Sequence, residues 1–166
     1  MERAVARIDR EAVRANCARL KAELTGGAEL CAVVKADGYG HGADVCAAGA
    51  LEGGATRLAV ATASEAEQVG RRFQHVPLLT MGALTDEEVD VVLSAGSELA
   101  LWREDFRRLV ADRARAHGHR ARVHVKYDSG MGRLGNSDPA EVLVLARACA
   151  EDPDLELAGV WTHLAT

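Results

Sequence analysis

At 166 residues, with 48% hydrophobic and 27% charged residues, the chain can bury a core as one domain and is too apolar for a disordered segment. Its 20 Lys and Arg against 25 Asp and Glu leave a formal charge of −5, which argues against nucleic acid as a partner of the surface at large. The opening run Met1-Glu2-Arg3-Ala4-Val5-Ala6-Arg7 has no apolar stretch of signal-peptide length, and no later run approaches the roughly 20 apolar residues of a membrane span, so a cytoplasmic protein with no membrane partner is expected.

Asp9 is placed to cap a first helix from Arg10 to Ala22. Strand one is the apolar run Leu30 to Lys35, followed by a loop from Ala36 to Gly42 and a helix from Ala43 to about Leu51. Strand two, Arg57 to Ala61, feeds a helix that opens with Thr62 and Glu65 at capping-box spacing. Strand three runs from Pro77 to Met81, and Thr85 precedes a helix from Asp86 to Ser94. Strand four, Glu98 to Leu101, leads into a long helix through about Arg115. The one basic stretch, Arg103 to Arg122, lies here, but Glu104, Asp105 and Asp112 interrupt it, so it reads as a solvated helix face. Strand five is Ala121 to Tyr127, its loop Asp128 to Ser137, and its helix Pro139 to Ala150, with proline in a first turn that tolerates it. Strand six runs from Leu155 to His163.

This rhythm of apolar strand, turn and amphipathic helix predicts an α/β fold on a parallel sheet, either an open doubly wound sheet or an incomplete eight-stranded barrel. Cys17, Cys31, Cys46 and Cys149 are scattered within apolar patterns with no C-x-x-C pair, and are expected to be reduced core residues.

The polar residues of these strands gather at their C-terminal ends: Lys35, Lys126, Asp128 and His163. Both candidate architectures place active sites at that edge. In strand five Val123, Val125 and Tyr127 alternate with His124, Lys126 and Asp128, so the polar three share one face. A lysine in an apolar setting loses the hydration of its charged form, which makes it a usable nucleophile for a Schiff base. His117, His119 and His124 are split between a loop and a strand with no carboxylate to complete a metal set, so no metal is expected. Trp102 and Trp161 read as helix-capping and core residues.

Three stretches carry a resemblance. Ala32-Val33-Val34-Lys35-Ala36-Asp37-Gly38-Tyr39-Gly40-His41-Gly42 closely resembles the cofactor-lysine motif of alanine racemases. Lys126-Tyr127-Asp128-Ser129-Gly130-Met131-Gly132-Arg133-Leu134-Gly135 resembles that family's K-x-D-[ST]-G-M-G-R-x-G, and Gly159-Val160-Trp161-Thr162-His163-Leu164-Ala165-Thr166 is similar to its G-x-x-T-H-[FL]-A. The resemblance implies that Lys35 carries pyridoxal 5'-phosphate as a Schiff base and acts as one catalytic base, and that Tyr39 binds the cofactor phosphate. It implies that Arg133 reaches the cofactor's phenolic oxygen and the substrate carboxylate, that Lys126 is carbamylated and holds Arg133, and that His163 lies beside the cofactor ring. The implied fold is a TIM-type (β/α)8 barrel followed by a β domain. About six of its eight strands lie in residues 1–166, so the chain is expected to be a fragment without the β domain and inactive by itself. The implied reaction of the parent protein is two-base interconversion of L- and D-alanine, supplying D-alanine to peptidoglycan, in a cytoplasmic homodimer whose partner subunit lends a tyrosine as the second base. The rival readings are a serine racemase and a non-catalytic pyridoxal-phosphate carrier. Arg133 and Lys126 favour an enzyme over a carrier, which needs no group for a substrate carboxylate.

Overall fold

The structure, a computed structural model, describes residues 4–165; Met1, Glu2 and Arg3 of the opening run and Thr166 of the third motif lie outside the described residues. Helix α1 (Arg10–Glu23) is capped by the Asp9 carboxylate, which accepts from the Glu11 and Ala12 amides. Then follow β1 (Cys31–Val33), a one-turn segment α2 (Lys35–Tyr39), α3 (Ala43–Glu52), β2 (Arg57–Val60), α4 (Ala63–Arg72), β3 (Leu78–Thr80) and α5 (Asp86–Ser94). The remainder is β4 (Glu98–Leu101), α6 (Glu104–His117), β5 (Ala121–Tyr127), α7 (Pro139–Glu151) and β6 (Leu155–Thr162). Capping boxes start two helices, Thr62 with Glu65 on α4 and Thr85 with Glu88 on α5.

All six strands pair in parallel in the order β1-β2-β3-β4-β5-β6. Strand order in a doubly wound sheet reverses at a switch point. Here it never does, so the sheet is the wall of a barrel, and its two outer strands are β1 and β6. Strand periodicity divides the wall into two faces. Leu58, Val60, Leu78, Leu99, Leu101, Val123, Val125 and Leu155 are buried against the helices, where they meet Val69, Val89, Val92, Val110, Val142 and Leu145.

Several details depart from the sequence reading. Strand one ends at Val33, and Lys35 opens the turn α2 rather than closing the strand. His117 is the last residue of α6 and not part of a loop; its Nε2 meets the Asp90 carboxylate at 3.1 Å. Of the cysteines expected in the core, Cys149 is buried and Cys17 and Cys46 are half-buried, but Cys31 is exposed on the outer strand β1. The arginines of α6 are matched by carboxylates: Arg107 by Glu104 and Asp152, Arg108 by Glu104, Arg113 by Asp90, Arg115 by Asp112 and Asp154. Arg107 is largely buried in this pairing, so the solvated-face reading holds for its neighbours but not for it.

The other face of the sheet carries Arg57, Glu98, Arg122 and His124 near the N-terminal ends of the strands. Glu98 is 4% exposed, and its carboxylate accepts from Arg57 Nη2, from Arg122 Nε at 2.9 Å and from His124 Nε2. Arg122 also reaches the half-buried Glu156 on β6. Burial alone would raise the Glu98 carboxyl, but His124, Arg122 and Arg57 outweigh it and hold it at about 2. A carboxyl depressed in the folded state adds stability above its unfolded value of 4.5, and that stability drains as pH falls toward 2. Glu98→Gln should therefore lose less stability than the unmodified protein across this acid window, while being weaker near neutrality because two guanidinium groups lose their buried partner. Urea denaturation from about pH 5 to about pH 2.5 reads the difference; parallel loss in both proteins would assign the acid sensitivity elsewhere.

Candidate active site

The polar edge is built from two ends of the sheet. At β1, the Val34 amide still donates to the Ala59 carbonyl at 2.9 Å, after which the backbone turns left-handed. Ala36, Asp37, Gly38 and Tyr39 have φ of 51°, 51°, 62° and 58°. This conformation costs roughly 1–2 kcal/mol for each of the three that is not glycine, so the turn persists only if its surroundings hold it. Gly38 could not be otherwise: a Cβ there would lie 2.9 Å from Cys46 Sγ and 3.2 Å from the Ala43 amide nitrogen. Two carboxylates pin the turn, Asp37 Oδ1 accepting from the Ala43 amide at 2.8 Å and Glu65 Oε1 from the Ala36 amide at 2.6 Å. The result is a half-buried Lys35 whose Nζ stands 5.9 Å from the centre of the Tyr39 ring, with the ring itself exposed.

At β5, Lys126 is 2% exposed. Its partner in the β5–β6 ladder is Trp161, and Lys126 Nζ lies 4.0 Å from the centre of that ring. Burial first, and then the Arg133 guanidinium, lower the Lys126 pKa, with Asp128 opposing them. The loop carrying Arg133 is closed at its base, where the Asp128 amide donates to Asn136 O at 2.9 Å and the Asn136 amide donates to Lys126 O at 3.1 Å. Inside the loop the Asp128 carboxylate accepts from the Gly130 and Gly132 amides, which hold its carboxyl below the ordinary range. Gly135, at φ 115°, lets the return strand pass: a Cβ there would meet the Asp128 nitrogen at 3.0 Å and Lys126 Cγ at 3.2 Å. Ser129 Oγ and Thr162 Oγ1, 2.6 Å apart, tie the loop to the end of β6. His163 is exposed, one residue beyond β6.

The structure thus brings Lys35 to Tyr39 and places Lys126 within the electrostatic reach of Arg133, all on the C-terminal edge of one parallel sheet, where His163 follows the end of β6. Among the described residues no hydrogen bond or ion pair joins the β1 group to the β5–β6 group. Two residues of this edge escaped the sequence reading. Trp161 is no core residue but the platform under Lys126, and its indole Nε1 is buried with no hydrogen-bond partner among the described residues. Glu65 showed only its capping-box spacing; its bond to Ala36, 29 positions away, has no local signal.

The chemistry of this set is specific. A primary amine beside a phenol can hold an aldehyde that bears a phosphate, and a guanidinium is suited to a carboxylate. Around Lys126 stand the Trp161 ring and the charges of Arg133 and Asp128, and the buried indole N–H has no hydrogen-bond partner among the described residues. Among the described residues no group of three His, Cys, Asp or Glu side chains is arranged to hold a metal ion, and no helix is long and apolar enough to cross a membrane.

A family model described as "Alanine racemase, N-terminal domain" matches residues 8–166. The chain is 40% identical over 161 residues to an alanine racemase of Desulforamulus reducens, covering 97% of this chain and 44% of that protein. It is 42% identical over 161 residues to one of Symbiobacterium thermophilum, covering 97% and 42%. The crystal structure of alanine racemase from E. faecalis superposes with a TM-score of 0.87 at 29% identity, covering 96% of this chain and 43% of that one. The chain therefore spans less than half the length of the curated relatives it matches. With the model match running through nearly every residue and an unreversed barrel wall beneath it, the chain belongs to the alanine racemase N-terminal domain family.

Proposed function

We propose that this chain forms the cofactor-binding half of a cytoplasmic homodimeric racemase that interconverts L- and D-alanine with pyridoxal 5'-phosphate, supplying D-alanine for the cell wall. The observation that supports this best is the pairing of a half-buried Lys35 with Tyr39 on a strained, pinned turn, at the sheet edge that also carries Lys126 and Arg133. The donor set fits the cofactor: Lys35 Nζ would hold it covalently, the Tyr39 hydroxyl would donate to its phosphate, and His163 would flank its ring. When bound, the cofactor supplies an electron sink that makes the substrate Cα proton acidic.

Each residue then has a task. Lys35 Nζ takes or returns the Cα proton on one face of the substrate. Arg133 receives the substrate carboxylate, which fixes the Cα–H bond in line with Lys35. Racemisation needs a second base on the opposite face, and the family resemblance supplies it from the partner subunit as a tyrosine, which makes the dimer the working unit.

Lys126 would carry a carbamate. Its neutral amine, favoured by burial and by Arg133, adds carbon dioxide, forming an N–C bond and releasing one proton. The product is an anion, and it would hold Arg133 by a charge-assisted hydrogen bond.

Borohydride reduction of the full-length protein loaded with pyridoxal phosphate, followed by peptide mapping, should place the label on Lys35. Lys35→Ala should lower racemisation by more than about 10³-fold with the fold retained. Label on Lys21 or Lys126 would overturn the assignment.

The carbamate is checked separately. Protein equilibrated with ¹³C-bicarbonate should show a carbamate carbon resonance that Lys126→Ala removes. The same variant should lose activity and regain part of it with acetate, whose anion can stand beside Arg133. No resonance and no recovery would leave Lys126 a plain buried amine.

A further inference from the structure

Glu65 stands in the first turn of α4, one strand away from the cofactor lysine, and its two oxygens face different parts of the fold. Oε2 accepts from the Ala61 amide at 2.8 Å and from the Thr62 amide at 3.1 Å, completing the capping box with Thr62. Oε1 accepts from the Ala36 amide at 2.6 Å, across 29 residues of sequence. A capping box needs only one of these oxygens. The other fastens the turn after β1 to the start of α4.

The bond to Ala36 acts at a telling place. The Ala36 N–H belongs to the same planar peptide as the Lys35 carbonyl, so holding that N–H holds ψ of Lys35 and with it the direction in which its side chain leaves the sheet. The next four residues are left-handed, a course that three of them would not choose unaided. Burial would raise the Glu65 carboxyl, but the Ala61, Ala36 and Thr62 amides outweigh it and keep the group below the ordinary carboxylate range, so the bonds are made to an anion.

We propose that Glu65 is a positioning residue for Lys35, its carboxylate clamping the left-handed turn to the α4 cap so that the lysine is aimed before any ligand binds. This rests on the reading of Lys35 as the cofactor lysine. Glutamine is also a capping-box residue, so Glu65→Gln can keep the cap with its carbonyl oxygen while its NH2 meets the Ala36 N–H, donor against donor. Thr62→Ala does the reverse, losing the hydroxyl that receives the Glu65 amide while leaving the Ala36 bond in place.

The test uses the full-length protein and two readings besides turnover. In cofactor-free protein, Glu65→Gln should speed hydrogen exchange of the Ala36–Gly42 amides by about tenfold or more, and in loaded protein it should weaken the Kd for pyridoxal phosphate by about tenfold, with Tm near that of the unmodified protein. Thr62→Ala should lower Tm and leave both readings unchanged. The proposal is overturned if Glu65→Gln exchanges and binds as the unmodified protein does, or if Thr62→Ala disturbs the turn equally. Should Glu65→Gln fail to fold, Glu65→Asp, one methylene short of Ala36, answers the same exchange question. If the unmodified protein traps no cofactor on Lys35, the reading of Lys35 fails, while exchange in the cofactor-free protein still judges the clamp.

Discussion

Parallel pairing is the constraint on which this molecule rests. Two neighbouring parallel strands cannot be joined by a tight turn; the chain must cross back over the sheet, and here it does so through a helix each time. Every strand therefore ends at the same edge. Lys35 on one side and Lys126 and His163 on the other reach one rim although, among the described residues, no hydrogen bond or ion pair joins the turn after β1 to the ends of β5 and β6, because the ladder delivers them there. The buried side of the wall, from Leu58 on β2 to Leu155 on β6, is what holds the ladder in register against its helices.

The face turned from the helices is electrostatically uneven along its height. Low in the wall, the buried Glu98 carboxylate is met by Arg57, Arg122 and His124, so the buried charge has partners. Two residues on from His124, Lys126 has the indole ring and a second cation for company. One layer of this face is balanced by ion pairs, whereas at the C-terminal edge Lys126 is buried where its surroundings disfavour its charge, a perturbation that functional sites commonly show. The strain shows the same division: the strands and most helices are regular, and the run of left-handed residues that are not glycine is confined to the turn bearing Lys35.

Much of this was legible in the residues alone. The limits of α5, β4 and β5 were read correctly because local signals mark them: Thr85 before a first turn rich in Asp and Glu, and strict alternation from Ala121 to Tyr127. The edge was legible too, since Lys35, Lys126 and His163 each stand at the C-terminal end of an expected strand. The three motifs, in order, named the family that the whole-chain match then showed.

What only the tertiary structure decided are the relations between segments. Period-two alternation cannot say that Lys126 stands opposite Trp161, since register is set by how β5 and β6 pair, with a shift between Val123 and His124 that no local pattern announces. Periodicity equally carried strand one through Lys35, whereas the chain leaves the ladder at Val33 and turns left-handed, a course fixed by Gly38 fitting against Cys46 and by carboxylates contributed from α2 and α4. Cys31 was expected in the core because its neighbours are apolar, yet it lies on an outer strand, where apolar surroundings in sequence do not become burial. The sequence by itself determined which elements form and which residues can do chemistry, because caps, turns and alternation act over a few positions. The aim of Lys35, the platform under Lys126 and the second oxygen of Glu65 depend on contacts across tens of residues, and only the packed chain supplies them.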